Sequence, residues 1–224
     1  PMEDGEMLLD MLARHPGTAK FVCAKICRRL LADDPPASLV DKAVQVWNEN
    51  FDAPGQIAEV VRAIAMSSEF AGAPPQKLKR PFEFMASFYR AVGAEVTSPP
   101  LDFIWTLSQA GWNQHECRPP TGHADTAEHW ANTNLVSGFI NMALNALEDW
   151  NGTAKLALAA ATPPQVKSAA DGVRFWAARL HGSPPPDEAA SLIAAQLAGD
   201  AGAALPDDPG EREQLLRGIV AAAA

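Results

Sequence analysis

The prolines of this chain fall between its periodic stretches rather than inside them. They cluster as Pro35-Pro36, Pro74-Pro75, Pro99-Pro100, Pro119-Pro120, Pro163-Pro164 and Pro184-Pro185-Pro186. Proline ends a helix and biases the residue before it toward extended backbone. Each cluster therefore reads as a stop between helices. Between the stops the apolar residues recur at helical spacing, and long alternating β-branched runs are missing. The expectation is an all-α chain, an irregular bundle of about nine or ten helices.

The periodic segments can be read in order. A short helix runs from Glu6 to Ala13, and His15-Pro16-Gly17-Thr18 breaks it, with His15 as a cap. Ala19 to Leu31 carries Phe21, Val22, Ile26, Leu30 and Leu31 as its apolar face. Ser38–Asn50 and Ile57–Phe70 follow, the latter with Ile57, Val60, Val61 and Ile64 on one stripe. Arg80 to Val92 is the most aromatic helix and is expected at the centre of the core. Near its start, Lys79, Arg80 and Glu83 have the spacing for an ion pair. Leu101 to Ser108 is followed by a loop and then a long run from Thr126 through Leu147. Three weaker helices close the chain, near 164–180, 187–197 and 211–220. Residues 1–150 are thus expected to form the main helical domain and 151–224 a peripheral subdomain or cap. The segment Gln56 to Met66 has a faint echo in Arg212 to Ala222, as expected of two amphipathic helices or of a duplicated unit.

Charge and length exclude several classes. The net charge is −9 over 224 residues, and the basic run Lys77, Lys79, Arg80 is short, so no nucleic-acid partner is expected. No apolar stretch reaches the roughly 18 residues of a membrane span. There is no glycine-rich phosphate loop. Pro1-Met2 resembles a cleavage scar before an expressed segment. Hydrophobic residues make up 47% of the chain, enough for a sizeable core. Cys23 and Cys27 are four apart on a helix, a spacing that suits small buried hydrophobes better than a disulfide. Asp33-Asp34 before Pro35 reads as a turn rather than a calcium site, because too few oxygens gather.

The stretch 109–134, QAGWNQHECRPPTGHADTAEHWANTN, lacks helical periodicity and is polar and aromatic at once. Loops of this kind carry function or are tightly anchored. Three chemistries compete with the plain reading of a self-satisfied loop. His115, Cys117, His123 and His129 would suit a zinc-like metal, although their spacing matches no standard zinc module. Trp112 and Trp130, with Trp105 as a third, would offer stacking faces. Asn113, Asp125, Asn132 and Asn134 would supply directed hydrogen bonds for a small ligand or glycan. Asp125 and Glu128, near His123, would serve as acid and base in hydrolysis. A nucleophilic version would need Cys117 or Ser108 beside His115 or His123.

Four stretches carry a resemblance. They are LLDMLARHPGTAKFVCAKICRRLLADDPP (8–36), AEVVRAIAMSSEF (58–70), KRPFEFMASFYRAVGA (79–94) and PPTGHADTAEHWANTNLVSGFINMALNAL (119–147). The His-Pro-x-Thr-Ala break, the Lys-Arg-Pro-x-Glu-Phe segment and the loop with Gly122, Asp125 and Trp130 together resemble the C-terminal half of the bacterial domain-of-unknown-function 1800 family. The match runs from Glu6 to Leu147. It implies an all-helical bacterial protein, often exported or periplasmic, with no settled activity. It also implies a missing N-terminal half, so that the chain is expected to be a fragment, one processed piece, or a chain whose partner supplies that half. On that basis the chain is expected to be a binding or interaction module acting through the loop. The alternative is a hydrolase or metal-dependent enzyme completed by the missing half.

Overall fold

The structure is a computed structural model describing residues 2–74, 77–96, 101–113, 115–117, 119–148 and 154–224. Its elements in chain order are α1 (Met2–Arg14), α2 (Pro16–Leu30), α3 (Ala37–Glu49), α4 (Gln56–Ala65), α5 (Ser68–Gly72), α6 (Pro81–Ala91), β1 (Glu95–Val96), α7 (Leu101–Gln109), α8 (Ala127–Trp130), α9 (Thr133–Glu148), β2 (Ala154–Lys155), α10 (Leu158–Ala161), α11 (Ala169–His181), α12 (Asp187–Ala198) and α13 (Pro209–Ala223). The all-α reading holds, with thirteen helices among the described residues where nine or ten were expected. Pro75, Pro99, Pro100 and the expected boundary between residues 150 and 151 lie outside the described residues.

The three additional helices have local causes. The expected helix 57–70 divides because the Ser67 hydroxyl accepts the Phe70 N–H at 3.1 Å and starts α5. The long run from Thr126 divides because the Asn132 side chain accepts the Leu135 N–H at 3.0 Å and starts α9. α10 is one turn, too short for a periodic signal. So are β1 and β2, which pair antiparallel with Glu95 opposite Lys155.

The chain groups into two compact units, residues 1–78 with 123–130, and residues 79–122 with 131–224. Within the second unit α11 packs on α6 and α13 on α9.

In the first unit, α2, α3 and α4 pack around Cys23, Cys27, Leu39, Ala43, Trp47, Val60 and Ile64. The His15 ring accepts the Gly17 N–H at 3.0 Å and caps α2, as its place before Pro16 suggested. The buried face of α2 is the expected one in part: Leu31 is buried, and Val22 and Ile26 pack against the core. Ala19, Cys23 and Cys27 point inward, while Phe21 and Leu30 stay exposed. Small side chains let α2 approach its neighbours closely. None of the residues of α1 is buried.

Cys23 and Cys27 are the small buried hydrophobes anticipated. Burial, with Cys27 close by, pushes the Cys23 thiol up to about 11. Only the thiolate reacts with disulfide reagents. At about pH 8, below the ordinary thiol pKa, the native chain is expected to expose one fast thiol, Cys117. Cys23 and Cys27 should appear only on unfolding. Three fast thiols in the native chain would contradict this packing.

The second unit is centred on α6, α9, α11 and α13. Phe84 stacks on Phe139 with centroids 4.0 Å apart, joining α6 to α9. The aromatic helix is indeed core. At its start the Glu83 carboxylate accepts from the Arg80 backbone N–H at 3.1 Å and from the Arg80 guanidinium at 2.6 Å. Arg80 thus makes the expected ion pair. Lys79 instead donates to the Leu180 carbonyl at 3.4 Å, and burial lowers its pKa. α11 and α12 end on Gly182 and Gly199, whose φ values of 87° and 80° form left-handed caps.

Candidate functional site

The loop singled out by its composition is split between the two units. In the first unit, residues 123–130 are tied down by a chain of alternating charges. Lys25 on α2 donates to the Asp125 carboxylate at 2.8 Å. Lys77 donates to the Asp125 carbonyl at 3.0 Å and pairs with the Asp33 carboxylate. Asp33 also accepts the Ala127 N–H at 2.6 Å, at the first residue of α8. Its own carbonyl accepts from Arg28 at 2.9 Å. Partial burial would raise the Asp33 pKa. The Ala127 N–H and the Lys77 ammonium outweigh it and hold the carboxyl below the ordinary aspartate range.

Trp130 lies at the centre of this segment. It is 4% exposed, and its indole N–H donates to the Ala124 carbonyl at 2.9 Å. His129 meets the ring edge-on at 4.8 Å and His123 lies 6.0 Å away. The indole face is covered. The Asp125 carboxylate and carbonyl are engaged by Lys25 and Lys77. Glu128 is exposed. Sequence reasoning missed Asp33, Lys25 and Lys77 as members of this cluster, because their partners lie 44 to 100 residues away.

In the second unit, Trp112 is 9% exposed. The Arg80 guanidinium lies 5.2 Å over its ring, and Phe82 stacks on it at 6.5 Å. Asn113 is exposed. Asn132 is occupied in starting α9, and Asn134 donates to the Gln109 carbonyl at 3.0 Å. His115 is exposed, with a left-handed φ of 63°. Cys117 is a half-buried free thiol. The four proposed metal ligands divide between the units, His115 and Cys117 in one, His123 and His129 in the other. Among the described residues, no three His, Cys, Asp or Glu side chains gather to hold a metal.

The second unit also has a cleft of about 260 Å³ between α7 and α9. One wall is Trp105, which is 64% exposed. The other lining residues are Gln109, Asn134, Asn141 and Asn145, which carry amides, Thr106 and Ser137, which carry hydroxyls, and Gly138. None of these lining side chains is charged. α9 comes close to the turn after α7 at Gly138, where a Cβ would meet that of Ala110 at 3.4 Å. Asn134, Asn141 and Asn145 share one helical face because they are seven and four residues apart. Asn141 and Asn145 went unnoticed in an ordinary amphipathic helix. A signal was present: Thr133 to Leu147 contains three asparagines and no charged residue.

No helix among the described residues is long and apolar enough to cross a membrane. A family model described as "Protein of unknown function (DUF1800)" matches residues 1–220. The match extends through the region after Leu147, where the residue-level resemblance had stopped. No curated protein and no solved structure matches.

Proposed function

This chain belongs to the DUF1800 family of proteins of unknown function, and we propose that it is a binding module for a neutral, hydroxyl-rich ligand of carbohydrate type. The observation carrying this reading is the α7–α9 cleft, where an exposed Trp105 flanks side-chain amides without a charged neighbour. A sugar ring has an apolar C–H face that stacks on an indole. Its hydroxyls donate and accept, and so do amides. An uncharged lining disfavours phosphates and metal ions, which call for cations, helix N-termini or carboxylates. The reading keeps Asn134 from the loop and moves the aromatic wall from Trp112 and Trp130, both covered, to Trp105.

The test is binding to an array of neutral oligosaccharides, followed by calorimetry on those retained. Trp105→Ala should weaken binding at least about tenfold, or about 1.4 kcal/mol. Asn141→Ala should also weaken it, while Glu128→Ala leaves it unchanged. Trp105 is exposed, so its loss should not unfold the chain. Failure to retain any glycan, or equal retention by Trp105→Ala, would refute the proposal.

A further inference from the structure

We infer that two copies of this chain associate through their first units, with α1 of each copy seated in the α2–α4 groove of the other. Two surfaces of the same unit carry the inference. The first is α1. Met7 and Met11, and Leu8 and Leu12, are pairs four residues apart, so they form one stripe. All four are half exposed or more, Met7 by 69%. The helix is nevertheless fixed at its last turn. Arg14 pairs with Asp52 at 3.1 Å and lies over the Phe51 ring, and Thr18 donates to the Leu12 carbonyl at 2.7 Å. A fixed helix with an open apolar stripe is a docking element rather than a frayed end.

The second surface is a groove of about 360 Å³ formed by Phe21, Val22, Ile26 and Leu30 of α2 with Val61 of α4. No α1 residue lines it. Phe21, 64% exposed, and Leu30, 37% exposed, are the apolar residues of α2 that the core does not use. Its charged lining residues, Lys25 and Arg29, are both basic.

Charge selects the occupant. α1 carries Glu3, Asp4, Glu6 and Asp10 against Arg14 alone. α2 carries Lys20, Lys25, Arg28 and Arg29 and no acid, and of these Lys25 already pairs with Asp125. An apolar groove with a basic rim fits an amphipathic helix with an acidic flank, and this chain presents such a helix itself. Each copy has both surfaces, so a reciprocal two-fold arrangement fills both grooves at once and closes, whereas a head-to-tail contact would leave a helix and a groove open at the ends. Opposed charge on the flanks fixes orientation as well as attraction.

The test is light scattering on the eluting full chain at concentrations up to about 100 μM, a range in which micromolar self-association is visible. The expected mass is twice the 23.9 kDa of the chain. Leu8→Glu and Phe21→Glu, both at exposed positions, should each raise the dimer dissociation constant at least tenfold without loss of helicity. A cysteine placed at Leu8 should crosslink to one at Phe21 only between copies, with Cys117 replaced by serine. A monomer at every concentration would overturn the inference. So would a dimer that either glutamate variant leaves intact, or a Leu8–Phe21 crosslink confined to single chains.

Discussion

Trp176→Ala is expected to lower the stability of the second unit by about 3–5 kcal/mol, the usual cost of emptying a large aromatic site. Trp176 on α11 is fully buried. Its indole N–H donates to the Thr162 hydroxyl at 3.2 Å, which in turn donates to the Leu158 carbonyl at 2.7 Å. The ring also meets Phe175 edge-on at 5.2 Å. Truncation removes the ring, leaves a cavity and takes the donor from a buried hydroxyl. Two further variants separate these effects. Trp176→Phe keeps most of the volume and loses the hydrogen bond. Thr162→Val keeps the indole and strands its N–H, at a cost of about 1–3 kcal/mol. Urea denaturation followed by circular dichroism should rank Trp176→Ala as the most damaging of the three. A loss below about 1 kcal/mol for Trp176→Ala would mean that α11 is not the core helix this packing makes it.

That result bears on how much of the molecule could be read from its residues. The helices after residue 150 give a weaker periodic signal because they are rich in alanine and glycine and poor in large apolar residues. Those same residues allow close packing. On α11, Ala169, Ala170, Gly172, Val173, Trp176, Ala177 and Leu180 are buried, and a Cβ on Gly172 would lie 3.1 Å from Ile219. Periodicity reports how apolar a face is, not how near its partner comes. Proline spacing and a 3.6-residue period were enough to place the long helices and the aromatic core of α6. They were not enough to show that Phe21 and Leu30 of α2 stay outside while Ala19 is buried beside Cys23 and Cys27.

The candidate site was legible to a similar depth. Composition marked the loop 109–134, but composition does not distinguish an indole that faces a ligand from one that anchors a loop. Trp112 and Trp130 are covered by Arg80, Phe82 and the histidines, all brought there by packing. Trp105 is open. Asn141 and Asn145 were hidden because a single side chain in a regular helix carries no mark of its own. What marks them is the lack of charge on the residues around them, a property of the whole face.

The charge chain around Asp33 supplies the second large effect. Asp33→Ala is expected to cost about 2 kcal/mol, within the range for hydrogen bonds to charged groups. The figure is discounted from that of a buried pair because Asp33 and Lys77 are about one quarter to one third exposed. The variant strips α8 of the acceptor for its first N–H and leaves Lys77 with the Asp125 carbonyl. Amide exchange should therefore quicken across residues 124–130 ahead of the rest of the first unit. Asp33→Asn keeps an acceptor but loses the ion pair, and should fall between wild type and alanine. The pH dependence has a definite sign. The folded Asp33 pKa lies below its unfolded value, so its contribution is full above the unfolded pKa and is lost as pH falls through the folded one. Urea midpoints measured from about pH 7 down to about pH 3 should converge for wild type and Asp33→Ala, since protonation removes in one what mutation has removed in the other. A constant gap across that range would show that the aspartate acts through packing or through its neutral hydrogen bond. The clamp on residues 123–130 would then have to come from the Lys25–Asp125 pair and the Trp130 anchor instead.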